Sequence, residues 1–450
     1  MNFSYNGGKI FLIIYLIIIN IYILKGKYFI NKNDISIKFD RFEKNNLNHN
    51  NSIKVAYYCH AYKFGGIARA IALLINYLSK EKYFEHYLIT NSIKLEGEYY
   101  LPPTTKRISL FERNISLIEA IKYEKVDILI YNFFNIKQIE QLNKLTDIKI
   151  IYYDHSSFLF WIYRDIYNFQ KTIYNTYKKC KYIVSLIPLE SDYLFKKWGI
   201  NSILIENLII YEYDSVIPSE LNMNNIIMMG RAYDPIKRYD LGIKAMNIII
   251  KEIPDCKMNI ISSPYNKLIS LITSLNLGKN VEFSGYSQNP EIYLKNASLH
   301  ILCSLSETYP LVLAEAKVFG IPSLICGLDY LTLAKGGTVI IYDDNPITIA
   351  EEAMKIMKNY TLRKQLGIEA RNSMKSHKNE LIIKKWIKLL LLVYRNDYHN
   401  YIKLISNDSS EKITEHEANE ILNNQLNLLK MRKNKFANLT IEKMKYFSFD

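Results

Sequence analysis

Two glutamates eight positions apart, Glu307 and Glu315, stand in the run S-E-T-Y-P-L-V-L-A-E-A. The residues V-L-A-E-A-K-V-F (312–319) read as a helix, opened after Pro310 and stopped by Gly320 and Pro322. Glu307 then precedes the helix and Glu315 lies in its first turns. Backbone N–H groups at a helix start, near Pro310 to Val312, attract anions. Two carboxylates beside such a point can accept hydrogen bonds from the hydroxyls of a sugar and of a ribose. An acidic pair that merely suits the helix dipole would have the same spacing.

A second run, G-R-A-Y-D-P-I-K-R (230–238), places Gly230 at the end of a strand, with Arg231 and Lys237 in the loop before a helix. A diphosphate at the mouth of a sheet needs fixed positive charge; arginine can clamp it with two parallel bonds and lysine acts as a mobile point charge. Two solvated loop cations would read alike. A third run, G-G-I-A-R (65–69), follows the first strand directly. Paired glycines allow backbone to approach a ligand, although the spacing is not the G-x-G-x-x-G of dinucleotide binding and also suits a plain tight turn. Asp343-Asp344 follows a strand in a turn and does not make a metal-binding Asp-x-Asp site.

These runs need elements to hold them. From Ile53 onward strand and helix patterns alternate, which implies parallel βαβ units. Strand candidates in the first half are 53–59, 126–131, 148–153, 182–187 and 202–207, with a helix over 65–78 after the first. After a looser stretch (211–224) come strands at 225–230, 257–262, 281–285, 298–303 and 322–326, and a helix over 239–252 closed by Pro254. The expected fold is α/β: two Rossmann-like domains facing across a cleft, with ligands at the carboxyl ends of the strands. The expected boundaries are an anchor (1–30), a tether (31–51), a first domain (52–212), a second domain (213–394) and a helical extension (395–450). In the extension, 411–436 reads as a helix with Ile413, Ala418, Ile421, Leu422, Leu428 and Leu429 on one face. It is expected to pack on the protein's own surface rather than on a partner or a membrane.

Residues 10–24 are apolar except Asn20, short of the roughly 20 residues a span requires. Tyr28, Phe29 and Ile30 extend the segment, no small-residue cleavage site follows, and Lys25, Lys27 and Lys32 outweigh Lys9. A single-pass N-terminal membrane helix with the remaining chain in the cytoplasm is expected. The net charge of +14 suits anionic partners, but no basic block or nucleic-acid motif appears, so no nucleic acid is expected. Five dispersed cysteines argue against a disulfide framework and a zinc site.

Taken in order, G-R-x(5)-K-R, I-P-D, V-E-F-S-G and S-x-x-E-T-Y-P-L-V-L-A-E-A-K-V-F-G-I-P-S resemble glycosyltransferase family 4, the retaining enzymes of GT-B fold, over roughly Ile53 to Leu390. The resemblance implies that Glu307 contacts hydroxyls of the transferred sugar and Glu315 the ribose hydroxyls. It implies that Arg231 and Lys237, beside Gly230, neutralise the diphosphate as it departs, and that Gly66 lies near donor phosphate and acceptor. His155 would lie near the donor sugar, or serve structure alone. The backbone from Tyr309 through Pro310 to Leu311 would meet phosphate or sugar. Thr308 and Pro310 stand where many members carry glycine, so the sugar pocket can differ. The implied donor is a UDP- or GDP-linked sugar, with no cofactor and no metal, and the implied acceptor is a glycan or lipid-linked saccharide in cell-surface synthesis. A non-catalytic scaffold subunit and a sugar-nucleotide epimerase are the alternatives.

Overall fold

The computed structural model describes residues 52–63, 65–132, 135–145, 147–153, 155, 174–406, 414, 416–425, 427–428 and 431–432. The apolar segment 10–24 and its tether lie outside the described residues, as do Ile413 and Leu429. Among the described residues no helix is long and apolar enough to cross a membrane.

Seven strands form the first sheet: β1 (Ile53–Cys59), β2 (Phe84–Thr90), β3 (Lys106–Ser109), β4 (Ile128–Tyr131), β5 (Lys149–Tyr153), β6 (Tyr182–Ser185) and β7 (Ile203–Leu204). They pair in parallel in the order β3-β2-β1-β4-β5-β6-β7. The second sheet has six: β8 (Asn225–Met229), β9 (Lys257–Ile261), β10 (Val281–Phe283), β11 (Leu299–Leu302), β12 (Ser323–Cys326) and β13 (Thr338–Ile341). Their order is β10-β9-β8-β11-β12-β13, again all parallel. Central strands such as β1, β4, β8 and β11 are covered on both faces, which is why they read as unbroken apolar runs. In each sheet the strand order reverses once, between β1 and β4 and between β8 and β11. A crevice opens at such a point.

Two strands, β2 and β3, carry polar residues that disguise them. Buried His86 in β2 bonds Tyr57 Oη in β1 at 3.1 Å, and Glu85 pairs with Lys106 of β3 at 2.8 Å. Conversely, of the expected strand 202–207 only Ile203 and Leu204 pair, because this edge has one neighbour, β6.

The chain does not stay in the second domain until residue 394. The helix Asn379–Tyr394 returns to the first sheet. Asn379 donates to Ile209 O and Tyr77 Oη at 2.7 and 2.9 Å. Trp386, buried, meets the Tyr153 ring edge-on at 5.1 Å. The next helix, Tyr398–Ser406, buries Tyr401 against Tyr182. The helix that follows, over 416–425, packs on the protein itself: Ala418 and Leu428 are buried and Ile421 and Leu422 lie against the core.

Candidate active site

The loops leaving β1, β5, β8 and β11 bring the expected residues to one place. After β8, Gly230 takes a φ of +128°, a conformation glycine accepts readily. Arg231 then pairs with Asp234 at 2.9 Å, and its guanidinium passes beside Gly65 of the first domain. Gly65 has φ +100° and ψ 164°, and a Cβ there would lie 2.9 Å from Arg231 Nη1. The close approach of the two loops is made at Gly65. Gly66 itself is exposed and has open space above it.

Lys237 ends a short 3-10 turn (Pro235–Lys237), and its ammonium meets Glu307 Oε1 at 2.5 Å. Glu307 lies in the loop after β11, where Tyr330 Oη accepts from its backbone N–H and donates to its carbonyl, at 3.0 and 2.7 Å. Arg238, held at φ +48°, donates through Nε to Cys303 O at 2.6 Å, fastening the lysine loop to the glutamate loop.

Glu315 is inside the helix Leu311–Val318, which is apolar on nearly every face and correspondingly buried. Its carboxylate is ion-paired with Arg69, one turn into the helix Gly66–Leu78 of the first domain. Burial pushes the Glu315 carboxyl above the usual range, and Arg69 pulls it part of the way back. The same helix is held on another side by Lys317, whose buried ammonium donates to Lys335 O, Gly336 O and Ser373 Oγ. Burial lowers that lysine to about 7. Gly320, at φ +68°, ends the helix, its N–H bonding Lys317 O. Pro310 stands at the helix start and has no N–H, so of the expected backbone donors Tyr309 to Leu311, it can offer none. Tyr309 is buried, its hydroxyl 2.9 Å from His377 Nδ1.

His155 follows β5, with its ring beside Tyr153 and Asn132. Its Nε2 lies 3.1 Å from Asn132 Oδ1, and Asn132 Nδ2 donates to Ile130 O, which assigns the ring proton to Nε2. Burial lowers its pKa to about 3, so the ring is neutral at ordinary pH. Thr308 Oγ1, from the second domain, donates to His155 O at 2.9 Å.

Three residues of this site carried no assigned role in the sequence. Arg69 lies within the noticed G-G-I-A-R run, one turn beyond Gly65. Arg238 lies within G-R-A-Y-D-P-I-K-R. Thr308 drew attention only as a departure from glycine. Asp344 lies between two arginines, 2.5 Å from Arg238 and 2.8 Å from Arg432, so its carboxylate is occupied structurally. Burial pushes Asp344 upward, but the arginines prevail and hold it below the usual carboxylate range.

Residues 212–373 match the family described as glycosyl transferases group 1. An uncharacterized glycosyltransferase of Haemophilus influenzae is 24% identical over 351 residues, covering 72% of this chain and 96% of that protein. The Campylobacter jejuni GalNAc-alpha-(1->4)-GalNAc-alpha-(1->3)-diNAcBac-PP-undecaprenol alpha-1,4-N-acetyl-D-galactosaminyltransferase is 22% identical over 357 residues, covering 75% of this chain and 98% of its own. The crystal structure of an Anabaena protein in complex with UDP and glucose has a TM-score of 0.60 at 13% identity, covering 75% of this chain and 99% of that one. The two parallel sheets are those of the GT-B fold, as in solved glycosyltransferases. With its two-sheet fold and its convergent carboxylates and cations, the chain carries, over residues 212–373, a domain that matches the group 1 glycosyl transferases.

Proposed function

We propose that the chain is a retaining glycosyltransferase that moves a sugar from a UDP- or GDP-linked donor to a glycan or lipid-linked acceptor, without a metal, in cell-surface polysaccharide or glycoconjugate synthesis. The observation that carries this reading is that both carboxylates at the sheet mouths are held by cations: Glu307 by Lys237 and Glu315 by Arg69. A nucleotide sugar suits both halves of each pair. Its diphosphate offers negative charge to Lys237, Arg231 and Arg69, while sugar and ribose hydroxyls donate to Glu307 and Glu315. Binding thus exchanges ion pairs inside the protein for ion pairs and charge-assisted hydrogen bonds to donor, and no carboxylate is left buried alone.

In the transition state the sugar gains oxocarbenium character and the diphosphate gains charge. Lys237 and Arg231, placed beforehand, stabilise that charge as it develops. The departing phosphate oxygen takes the acceptor proton on the face it leaves, which retains the anomeric configuration. His155, neutral and donating from Nε2 to Asn132, stands near the sugar as a hydrogen-bonding group rather than a cation. The lipid-linked acceptor of the Campylobacter relative supports the acceptor class, and the UDP and glucose of the Anabaena structure support the donor class. The apolar segment 10–24, with Lys25, Lys27 and Lys32 beyond it, would hold this activity at the cytoplasmic membrane face.

A screen of UDP- and GDP-sugars by thermal stabilisation tests the donor, since a ligand at 100 times its Kd adds about 2.7 kcal/mol to folded-state stability. NMR of the product made with the best donor then reads the anomeric configuration. Inversion there, or no stabilisation by any nucleotide sugar, sinks the reading. Retention of the protein in a membrane pellet after alkaline carbonate washing checks the anchor, and its release would remove that part.

A further inference from the structure

The helix over 416–425 and residues 427–428 and 431–432 beyond it contact the turns that fasten each side of the Lys237–Glu307 pair. One arm runs through Gln425, which is buried. Its Nε2 donates to Gly327 O at 2.7 Å and to Asp329 Oδ1 at 2.6 Å. Asn424 holds the other oxygen of Asp329 at 3.1 Å, and Leu428 covers Gly327, which has φ +62°. This turn ends at Tyr330, whose hydroxyl grips the backbone N–H and carbonyl of Glu307.

The second arm runs through Arg432, also buried. It forks onto both oxygens of Asp344, Nε at 3.0 Å and Nη2 at 2.8 Å. Asp344 in turn holds Arg238, which follows Lys237 directly and fastens Cys303 O, at the root of the Glu307 loop. The arms therefore end on the two partners of one ion pair, Glu307 through Tyr330 and Lys237 through Arg238. A helix that served only to cover apolar surface would need neither the fork nor the two hydrogen bonds from Gln425. Its apolar face already does that work.

We infer that this C-terminal helix is a positioning element for the sugar-binding pair, with Gln425 and Arg432 as positioning residues. The inference rests on the reading that Glu307 and Lys237 meet the donor's sugar and diphosphate. The arms set the distance between a carboxylate and an ammonium that must both address one sugar phosphate, where a displacement near 1 Å can cost about 100-fold in rate. The polar arms end beside Lys237 and Glu307, whereas Arg69 and Glu315 hold each other in a separate ion pair, so nucleotide binding is left mainly to that pair and to Arg231.

The test uses the full chain and its Arg432→Gln, Arg432→Lys and Gln425→Ala variants. Donor turnover gives kcat and KM, calorimetry with UDP and GDP gives Kd, and a melt reports folding. Arg432→Gln is expected to lower kcat about 10-fold or more with the nucleotide Kd changed less than about threefold. Arg432→Lys, which keeps a cation on Asp344, is expected to recover most of that loss. Gln425→Ala removes no charge, and Asn424 and Tyr342 still donate to Asp329; it is expected to show the same kcat-selective loss through the other arm, so the inference stays testable if Arg432→Gln does not fold. Variants that turn over like the wild type overturn the inference, as do losses of kcat matched by equal losses of nucleotide affinity. A wild-type chain that neither binds nor turns over any nucleotide sugar overturns the underlying reading as well, and so is told apart from failure of the positioning role alone.

Discussion

Replacing Arg69 by methionine removes the cation that faces Glu315 from the other domain while keeping most of the side chain's apolar stem. The two groups are only 12% and 1% exposed, so solvent does little to screen what remains. Breaking a buried ion pair by removing one member costs about 3–5 kcal/mol, because the other charge stays buried without compensation. Here the survivor is a carboxylate whose pKa burial already raises, with Arg69 the group that opposes the rise. Without Arg69 the folded-state value climbs further above the unfolded one. The folded protein then binds more protons than the unfolded chain, so stability falls as pH rises between the two values, by about 1.4 kcal/mol per unit. Arg69→Met is therefore expected to be far more damaging at pH 8 than at pH 5. Adding Glu315→Leu should recover most of the loss at pH 8, since apolar replacement of a buried pair is often neutral or better. Urea unfolding followed by tryptophan fluorescence, run at both pH values on the two single variants and the double, measures this. Equal losses at the two pH values, or additive effects of the two substitutions, refute the reasoning.

Lys237→Met is expected to lower kcat for donor turnover about 100- to 1,000-fold, the usual cost of one preorganised electrostatic group, with the fold retained by circular dichroism. Gly65→Ala forces a side chain into a backbone region only glycine tolerates and against the Arg231 guanidinium. It is expected to cost on the order of 1–3 kcal/mol in a thermal melt and to raise donor KM. His155, at about 3 in the folded state and near 6.5 unfolded, costs stability increasingly as pH falls below about 6.5. His155→Gln should accordingly lessen the drop in melting temperature between pH 7 and pH 4.5, and the pH–rate profile of the wild type should show no limb from this ring between pH 5 and 8.

The second domain is the more legible half because its strands are buried on both faces and its site loops are short. Gly230 to Arg238 and Ser304 to Glu315 each follow a strand directly, so residue order already states which side chains share the sheet mouth. The first domain hides more. β2 is written F-E-H-Y-L-I-T, and its His86 becomes a core residue only through Tyr57, a partner no local pattern names. Arg69 posed the same difficulty. Its helix was evident from Ala68, Ile71, Ile75 and Leu78, but its partner Glu315 belongs to another domain. Pair identity across domains is a tertiary fact, and periodicity carries no trace of it. Thr308 shows the converse: a residue noticed for not being glycine turns out to spend its hydroxyl on His155 O. Gln425 ends a helix whose apolar stripe was readable and Arg432 lies beyond it, while the polar contacts that tie both to the site were not.

The return of the helix Asn379–Tyr394 to the first sheet has a consequence for how the chain is made. Trp386 completes a core whose strands begin at Ile53 and whose Tyr153 was synthesised long before. As the nascent chain emerges, the first domain lacks this wall until the whole second domain has followed it out. Closing that long loop is entropically slow, though its cost rises only logarithmically with length. The second domain, residues 225–373, is free to fold first on its own local contacts and to act as the spacer that delivers the wall. A chain stalled when residue 373 has just cleared the exit tunnel should then display a protease-resistant second domain beside a first domain still open to cleavage, and resistance of the first domain should arrive once residues 379–406 are clear of the tunnel.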